Sequence, residues 1–520
     1  TKRRNQLKYK IMSKLFSTIA SRKPKRTAFD LSHERKLSCK MGQLIPIMND
    51  EIMPGDTFKV RSEVLVRLAP LIAPVMHRTN VFIHYFFVPN RIIWDEWEKF
   101  ITGQEELLVP QSNGTLVVDK GSVGDYLGLP VGLPTNVYDG ISQLPVRSYM
   151  KIWNDYYRDQ NQQEELDVQD LTETALVMTG TPLLRAWEKD YFTSALPSTQ
   201  QGGPYGVPVN PSYIDTGSLA TTKDGGFASQ GNMQIGPGGQ INDGVEDVIV
   251  KNLIDGEELT IDINDFRVAH RLQRWAERQM RSGNRYVETL LSHFGVHNND
   301  LRMQRPQYLG GGKMPVTISE VLNTNGNEIV DQSLGSNVPL GDMAGHGIGV
   351  GSTPTAKATF KEHGWIMGIM SIIPKTTYQN GIHRSWLRKD KFQFPWPEFA
   401  HYGEHAVLQG EIFATNDLTA NKEVFGYQSQ YSDLKYKGSS VHGDFRDNLS
   451  FYHMGRIFAE TPGSGEQSKP DLNEEFITCD TSAINERVFA TGNNADTLWV
   501  QIYNAVTAVR PMPYYGTPTL

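Results

Sequence analysis

The chain has 520 residues and, at 39% hydrophobic, enough apolar material for a large core; its formal charge is −7 and it has two cysteines, Cys39 and Cys479. Two cysteines so far apart in sequence exclude a disulfide framework and a clustered metal set, and read as inert thiols of a protein made in a reducing compartment. No apolar run reaches the ~18–20 residues that cross a bilayer. Lys14 and the SRKPKR run that follows break up the core a signal peptide needs, so cytosolic synthesis without membrane insertion is expected.

The charge is unevenly placed. Residues 1–40 carry thirteen Lys and Arg against Asp30 and Glu34, net +11, which leaves −18 for the remainder. Such a split marks a basic arm that meets a polyanion. Lys2, Arg3, Arg4, Lys8, Lys10, Lys14, Arg22, Lys23, Lys25 and Arg26 are the candidate phosphate contacts, with Tyr9, Phe16 and Phe29 as faces on which bases can stack. A solvated charged tail is the plainer alternative.

Past the arm, 58–68 alternates, with Phe58, Val60, Val64, Val66 and Leu68 on one face and Lys59, Arg61, Glu63 and Arg67 on the other: a half-buried strand. The run 81–88, VFIHYFFV, is apolar on both faces except at His84, which predicts a strand covered on both sides. Just before the first of them, Pro54-Gly55-Asp56 forms an acidic turn. Two short aromatic helices follow, 94–100 (WDEWEKF) and 148–158 (SYMKIWNDYYR), around a Gly/Pro-rich loop at 121–140.

From 202 to 244 the composition turns to Gly, Pro, Ser and Asn, too poor in large aliphatics to build a core, so this stretch reads as a long surface excursion. A second Gly-rich stretch, 335–351, is expected to behave alike. Between them 265–294 carries helical spacing, with a break at Gly283 and a basic face of Arg267, Arg271, Arg274, Arg278 and Arg281. Strand character returns at 365–374, 407–413, 425–436 and 498–509. With no regular strand-helix alternation, this predicts a mainly β, antiparallel barrel or sandwich in a single domain, its first and last strands paired.

Chemistry is thinly represented. His401, Glu404 and His405 match the H-x-x-E-H zinc pattern, but Gly403 within it and Pro395 and Pro397 just before it oppose the helix that would aim both imidazoles at one metal. They read as turn or interface histidines, and no metal or cofactor is expected. GGGK at 310–313 lacks the spacing and Ser/Thr of a phosphate loop, and the glycines at 345–351 recur at every second residue, unlike a dinucleotide fingerprint. Asn113-Gly-Thr115 reads as a chance sequon. The competing enzymatic reading, a β-sandwich hydrolase or carbohydrate-active enzyme, would rest on a carboxylate pair such as Glu404 with Asp417.

Eight ordered segments carry a resemblance: LIPIMNDEIMPGDTF at 44–58, FFVPNRIIWDEWEKF at 86–100, EKDYFTSALP at 188–197, MQRPQYLGGG at 303–312, EHGWIMGIMSIIPKTTYQNGIHRSW at 362–386, FAHYGEHAVLQGEIF at 399–413, FGYQSQYSDLKYK at 425–437 and PMPYYGTP at 511–518. In these the chain resembles the major capsid proteins of the Microviridae, and in particular their gokushovirus-like branch. The resemblance implies a non-enzymatic virion protein with an eight-stranded antiparallel jelly roll, long loop insertions and a few short helices, occupying 41–520 behind an arm at 1–40. It further implies a T=1 shell around circular single-stranded DNA, assembled in the host bacterial cytoplasm. The implied partners are further copies of the chain, the genome, internal scaffolding, DNA pilot and small DNA-binding proteins, and a host receptor met by the 202–244 insertion. Aromatic-rich loops at 94–100 and 394–402 are then expected contacts between neighbouring copies.

Overall fold

Alternating apolar residues build the main sheet. In the computed structural model of the protein, which describes residues 25–112, 116–202, 263–283, 285–322, 343–458, 469–491 and 495–515 and four two-residue strand pieces between 222 and 242, ten strands join in one antiparallel sheet. These are β1 (Thr27–Asp30), β2 (His33–Cys39), β3 (Ile45–Ile52), β4 (Thr57–Leu68), β5 (Thr79–Pro89), β6 (Gln307–Leu322), β7 (Met343–Ser352), β8 (Ala356–Thr359), β9 (Gly364–Pro374) and β12 (Leu498–Arg510). β10 (Glu404–Leu408) and β11 (Val424–Ser429) form a separate antiparallel pair.

The order across the sheet is β1-β12-β4-β7-β6-β5-β9-β3, with β8 also on β4 and β2 also on β12. β6 joins two halves: 307–316 pairs with β5 and 317–322 with β7. The sheet curls so that both halves share one core, where Val64, Val66, Ile502 and Val506 meet Ile83, Phe87, Met370 and Ile372. Phe360 clamps the halves, its ring 6.1 Å from Phe58 and 4.4 Å from Phe87. A buried polar bridge does the same: the Tyr85 hydroxyl donates to Ser62 Oγ (2.6 Å), Ser62 Oγ to Asn504 Oδ1 (2.6 Å), and Asn504 Nδ2 to the Ile47 carbonyl (3.0 Å). Tyr85, Ser62 and Asn504 are thereby partnered in a place where an orphaned polar group would cost about 1–3 kcal/mol.

The predicted face of β4 is the observed one: Phe58, Val60, Val64, Val66 and Leu68 are buried while Lys59, Arg61, Glu63 and Arg67 face water. β4 pairs with β12 along its length, from Leu68↔Leu498 to Thr57↔Val509, so the first long strand and the last do meet. β5 is buried on both sides except at His84. Its second face, Phe86 and Val88, packs on a separate cluster containing Leu144, Tyr149, Met150 and Trp153. Those residues come from α2 (Leu144–Ile152) and the π-helical turn Trp153–Tyr157, after a shorter helix, α1 (Trp97–Ile101). α3 (Leu171–Thr179) adds Met178 to the same cluster.

Several expectations change. Residues 27–39, read as arm, form β1 and β2 on the edge of β12, because Ala28, Phe29, Arg35 and Leu37 find register partners there. The stretch at 343–351, read as a surface excursion, is the strand β7 between β4 and β6; the rest of that reading, 335–342, lies outside the described residues. Its every-second-residue glycines are strand periodicity: Gly345, Gly347, Gly349 and Gly351 all point to the packed side. A Cβ on Gly347 would lie 2.2 Å from Leu68 Cδ1, and one on Gly351 2.8 Å from Met314 Sδ, so a side chain at either would have to displace its neighbour. The 407–413 and 425–436 readings shorten, each strand passing into a short helix, Gln409–Ile412 and Ser432–Lys435. β3 and β6 escaped notice, β6 because Gly310 to Gly312 disguise it.

The chain divides into two compact units, one made of Thr1–Pro197 with Gly295–Leu520 and the other of Ser198–Phe294. In the second, α4 (Ile263–Ser282) and α5 (Tyr286–Phe294) flank Gly283, whose φ of +96° ends the first helix. Ala276 and Met280 are buried, and the five arginines predicted for one face are exposed. Of the 202–244 excursion only residue 202 and the strand pieces 222–223, 226–227, 234–235 and 241–242 are described.

Candidate functional site

The H-x-x-E-H residues do not converge. His401 lies in an exposed turn, while Glu404 and His405 open β10, where consecutive side chains point to opposite faces. His405 Nε2 sits 3.1 Å from the Tyr191 hydroxyl, which donates to Glu411 Oε2 at 3.0 Å. Since that hydroxyl proton is committed to Glu411, the imidazole is the donor to the Tyr191 oxygen. Burial, aided by the Arg384 cation, lowers the His405 pKa to about 4, so the ring is neutral at pH 7. Arg384 donates to Glu411 Oε1 and to the Ala406 carbonyl, both at 2.7 Å. Burial pushes the Glu411 carboxyl up, and Arg384 opposes it. A buried, mutually satisfied network of this kind fixes structure.

Asp417, the other carboxylate of the hydrolase reading, is engaged locally, accepting from the Thr419 N–H at 2.7 Å. Among the described residues no three His, Cys, Asp or Glu side chains form a metal-holding group. Cys39 and Cys479 are both buried in the core, and burial pushes both thiols up, in keeping with inert thiols. The sequon at 113–115 lies outside the described residues.

Of the ten basic arm residues, Lys2, Arg3, Arg4, Lys8, Lys10, Lys14, Arg22 and Lys23 lie outside the described residues. Lys25 and Arg26 are exposed, directly before β1. There the arm's root meets the chain's other end. Thr27 pairs with Arg510, and the Phe29 ring stacks on Tyr514 with centroids 5.9 Å apart and planes at 4°. Arg510 lies 3.7 Å from Asp56 Oδ2 and donates to the Glu51 carbonyl at 2.9 Å. Burial raises the Asp56 pKa, against the Met53 N–H that donates to it and the nearby Arg510 and Arg26.

The predicted acidic turn thus holds Arg510, the register partner of Thr27 at the root of the arm. Tyr514 and Tyr515 are exposed, their rings 4.8 Å apart, and Tyr514 lies on Phe29 at the start of the sheet. In the sequence, PMPYYGTP carried only a resemblance, and its tyrosines were not among the candidate contacts.

The chain matches the family model described as "Capsid protein (F protein)" over residues 17–520. It is 31% identical to the capsid protein VP1 of Chlamydia phage 1, over 98% of this chain and 98% of that protein. Capsid protein VP1 of Bdellovibrio phage phiMH2K is 32% identical over 97% of both, and that of Spiroplasma virus 4 is 30% identical over 98% of this chain and 99% of its own length.

Proposed function

Because the chain belongs to the phage capsid (F) protein family of the gokushovirus-like Microviridae, a family of structural virion proteins and not of enzymes, we propose that its copies assemble into an icosahedral shell around a circular single-stranded DNA genome. The match across 17–520 carries this reading, since it spans the sheet, the insertions and part of the arm together.

The curled sheet is read here as a jelly roll of eight strands with added edge strands and long insertions. Pairing of β4 with β12, and of β5 with both β6 and β9, supports it: sequence-distant strands close such a fold. The basic arm, entering the sheet at Thr27, contacts the genome from inside. Its cations release counterions from phosphates without reading bases, and the rings at its root accept stacked ones. The 202–244 excursion reaches outward to the host surface. Internal scaffolding, DNA pilot and small DNA-binding proteins complete the assembly.

Producing the full chain with the other structural proteins of its phage and imaging the products by cryo-EM tests this. Closed shells with one copy per icosahedral asymmetric unit are expected; a chain that stays monomeric under every condition overturns the reading. For the arm, replacing Lys2, Arg3, Arg4, Lys8 and Lys10 with Gln should lower the DNA content of particles. It should also flatten the salt dependence of DNA binding by roughly 0.7 log units per log of salt for each phosphate that is no longer neutralised. Unchanged DNA content and slope would remove the arm from genome contact.

A further inference from the structure

The two aromatic stretches expected as neighbour contacts differ sharply. In 94–100 the rings turn inward: Trp94 is 5% exposed, with the Trp97 and Phe100 rings 6.2 and 5.2 Å from it. In 394–402, and in the residues from 386 that lead into it, they turn outward. Trp386 is 81% exposed, Phe392 62% and Tyr402 82%, Phe394, Trp396 and Phe399 lie between 37% and 51%, and every residue from 389 to 402 is exposed.

This strap is held in place while its rings stay uncovered. At its start Arg384 is paired with Glu411, and Arg388 with Asp433, both carboxylates being almost fully buried. Within it the Lys389 N–H donates to Gln393 Oε1 (2.6 Å), Trp396 Nε1 to the Lys391 carbonyl (2.8 Å), and the Trp396 N–H to the Tyr431 hydroxyl (3.1 Å). Pro395 and Pro397 remove further backbone freedom. A preorganised aromatic surface loses little entropy when it is covered.

Area and charge identify what covers it. At ~200 Å² per ring, the six rings expose on the order of 700 Å². That sum approaches the ~800 Å² that one partner contributes to a standard protein interface. Within 389–402 Lys389 and Lys391 are balanced by Asp390 and Glu398, so no excess of cations draws in a polyanion.

We infer that the strap 386–402 is a subunit interface covered by a second copy of this chain. The inference rests on the capsid reading, in which each copy must bury extensive surface against identical neighbours; obligate contacts of that kind are the most apolar.

The full-length chain carrying Trp386→Ser, Phe392→Ser and Tyr402→Ser, produced with the same phage partners, tests it. Particle yield, read by sedimentation and electron microscopy, should fall at least tenfold while the melting temperature of the unassembled chain is unchanged. In the wild type, hydrogen exchange across 386–402 should slow on passing from free subunit to particle, a readout that stands even if the variant fails to fold. Wild-type particle yield from the variant, or equal exchange in particle and subunit, overturns the inference while leaving the capsid reading intact. So does a variant that assembles normally but loses host attachment, which would make the strap an outward-facing surface. A wild-type chain that never assembles overturns the capsid reading itself.

Discussion

The sheet core and the 386–402 strap are both rich in large apolar side chains, yet they complete their burial differently. In the sheet, β4 and β12 are separated by more than 400 residues and still bury each other's Val64, Val66, Ile502 and Val506. The fold itself removes that surface from water. The strap is tied down by side chains close to it and by two arginine-carboxylate pairs, while its rings stay in solvent. Removing apolar area from water is favourable by roughly 25 cal/mol per Å², so the sheet has realised its gain within one chain and the strap has kept its own for association. Stability and assembly are thus assigned to different parts of the molecule, and substitutions can separate them.

The largest expected effect is on the sheet. Phe87→Ala removes a fully buried ring that packs on Phe360 and should cost about 3–5 kcal/mol in urea unfolding. A loss under about 1 kcal/mol would mean that the two halves are not held by a shared core. Next comes the strap's anchor. Asp433→Ala leaves Arg388 buried without its partner, at about 3 kcal/mol, and hydrogen exchange should quicken across 384–402 while the sheet stays protected. If the sheet opens as well, the separation between the regions fails.

Gly347→Val follows, at about 1–3 kcal/mol, because its side chain would be driven into Leu68; a neutral result would show that β7 is not pressed against β4 as described. The smallest effect is a pH dependence belonging to the sheet. Burial, with Arg185 nearby, lowers the His84 pKa from 6.5 to about 4. Between those values the unfolded chain binds the extra proton, so stability is complete above about 6.5 and drains as pH falls toward 4. His77 and His405, also lowered to about 4, act in the same direction, whereas the raised carboxyls of Asp56 and Glu411 oppose it. The melting temperature of His84→Asn should therefore fall less steeply over this range than that of the wild type.

Much of this was legible from local pattern. A strand with one dry face shows its period of two directly, so the faces of β4 and the double-sided burial of β5 could be read residue by residue. The helix break at Gly283 was equally visible, because a left-handed residue interrupts a period of 3.6. β7 was misread for a physical reason: its packed side is built of glycine, so the apolar half of the alternation is missing, and only the nearness of Leu68 and Met314 explains why. β1 and β2 were hidden beneath the arm's charge, since pairing depends on the partner strand and not on composition. At the candidate site, the basic character of Lys25 and Arg26 was plain, but the contacts just after them, Thr27 with Arg510 and Phe29 with Tyr514, were not.

The amino-acid order alone determined the class of the fold: alternation specified antiparallel β structure, and the charge split marked a basic N-terminal segment. These are properties of neighbouring residues, and local sterics and solvation act at that range. Tertiary structure decided the rest, namely which distant strands pair, that Glu411 and Asp433 are the buried partners of Arg384 and Arg388, and which aromatic stretch is spent inside and which is left for a neighbour. The WDEWEKF run and the strap look alike as sequence; whether a ring is covered depends on what the fold brings against it, and that is set by contacts between residues far apart in the chain.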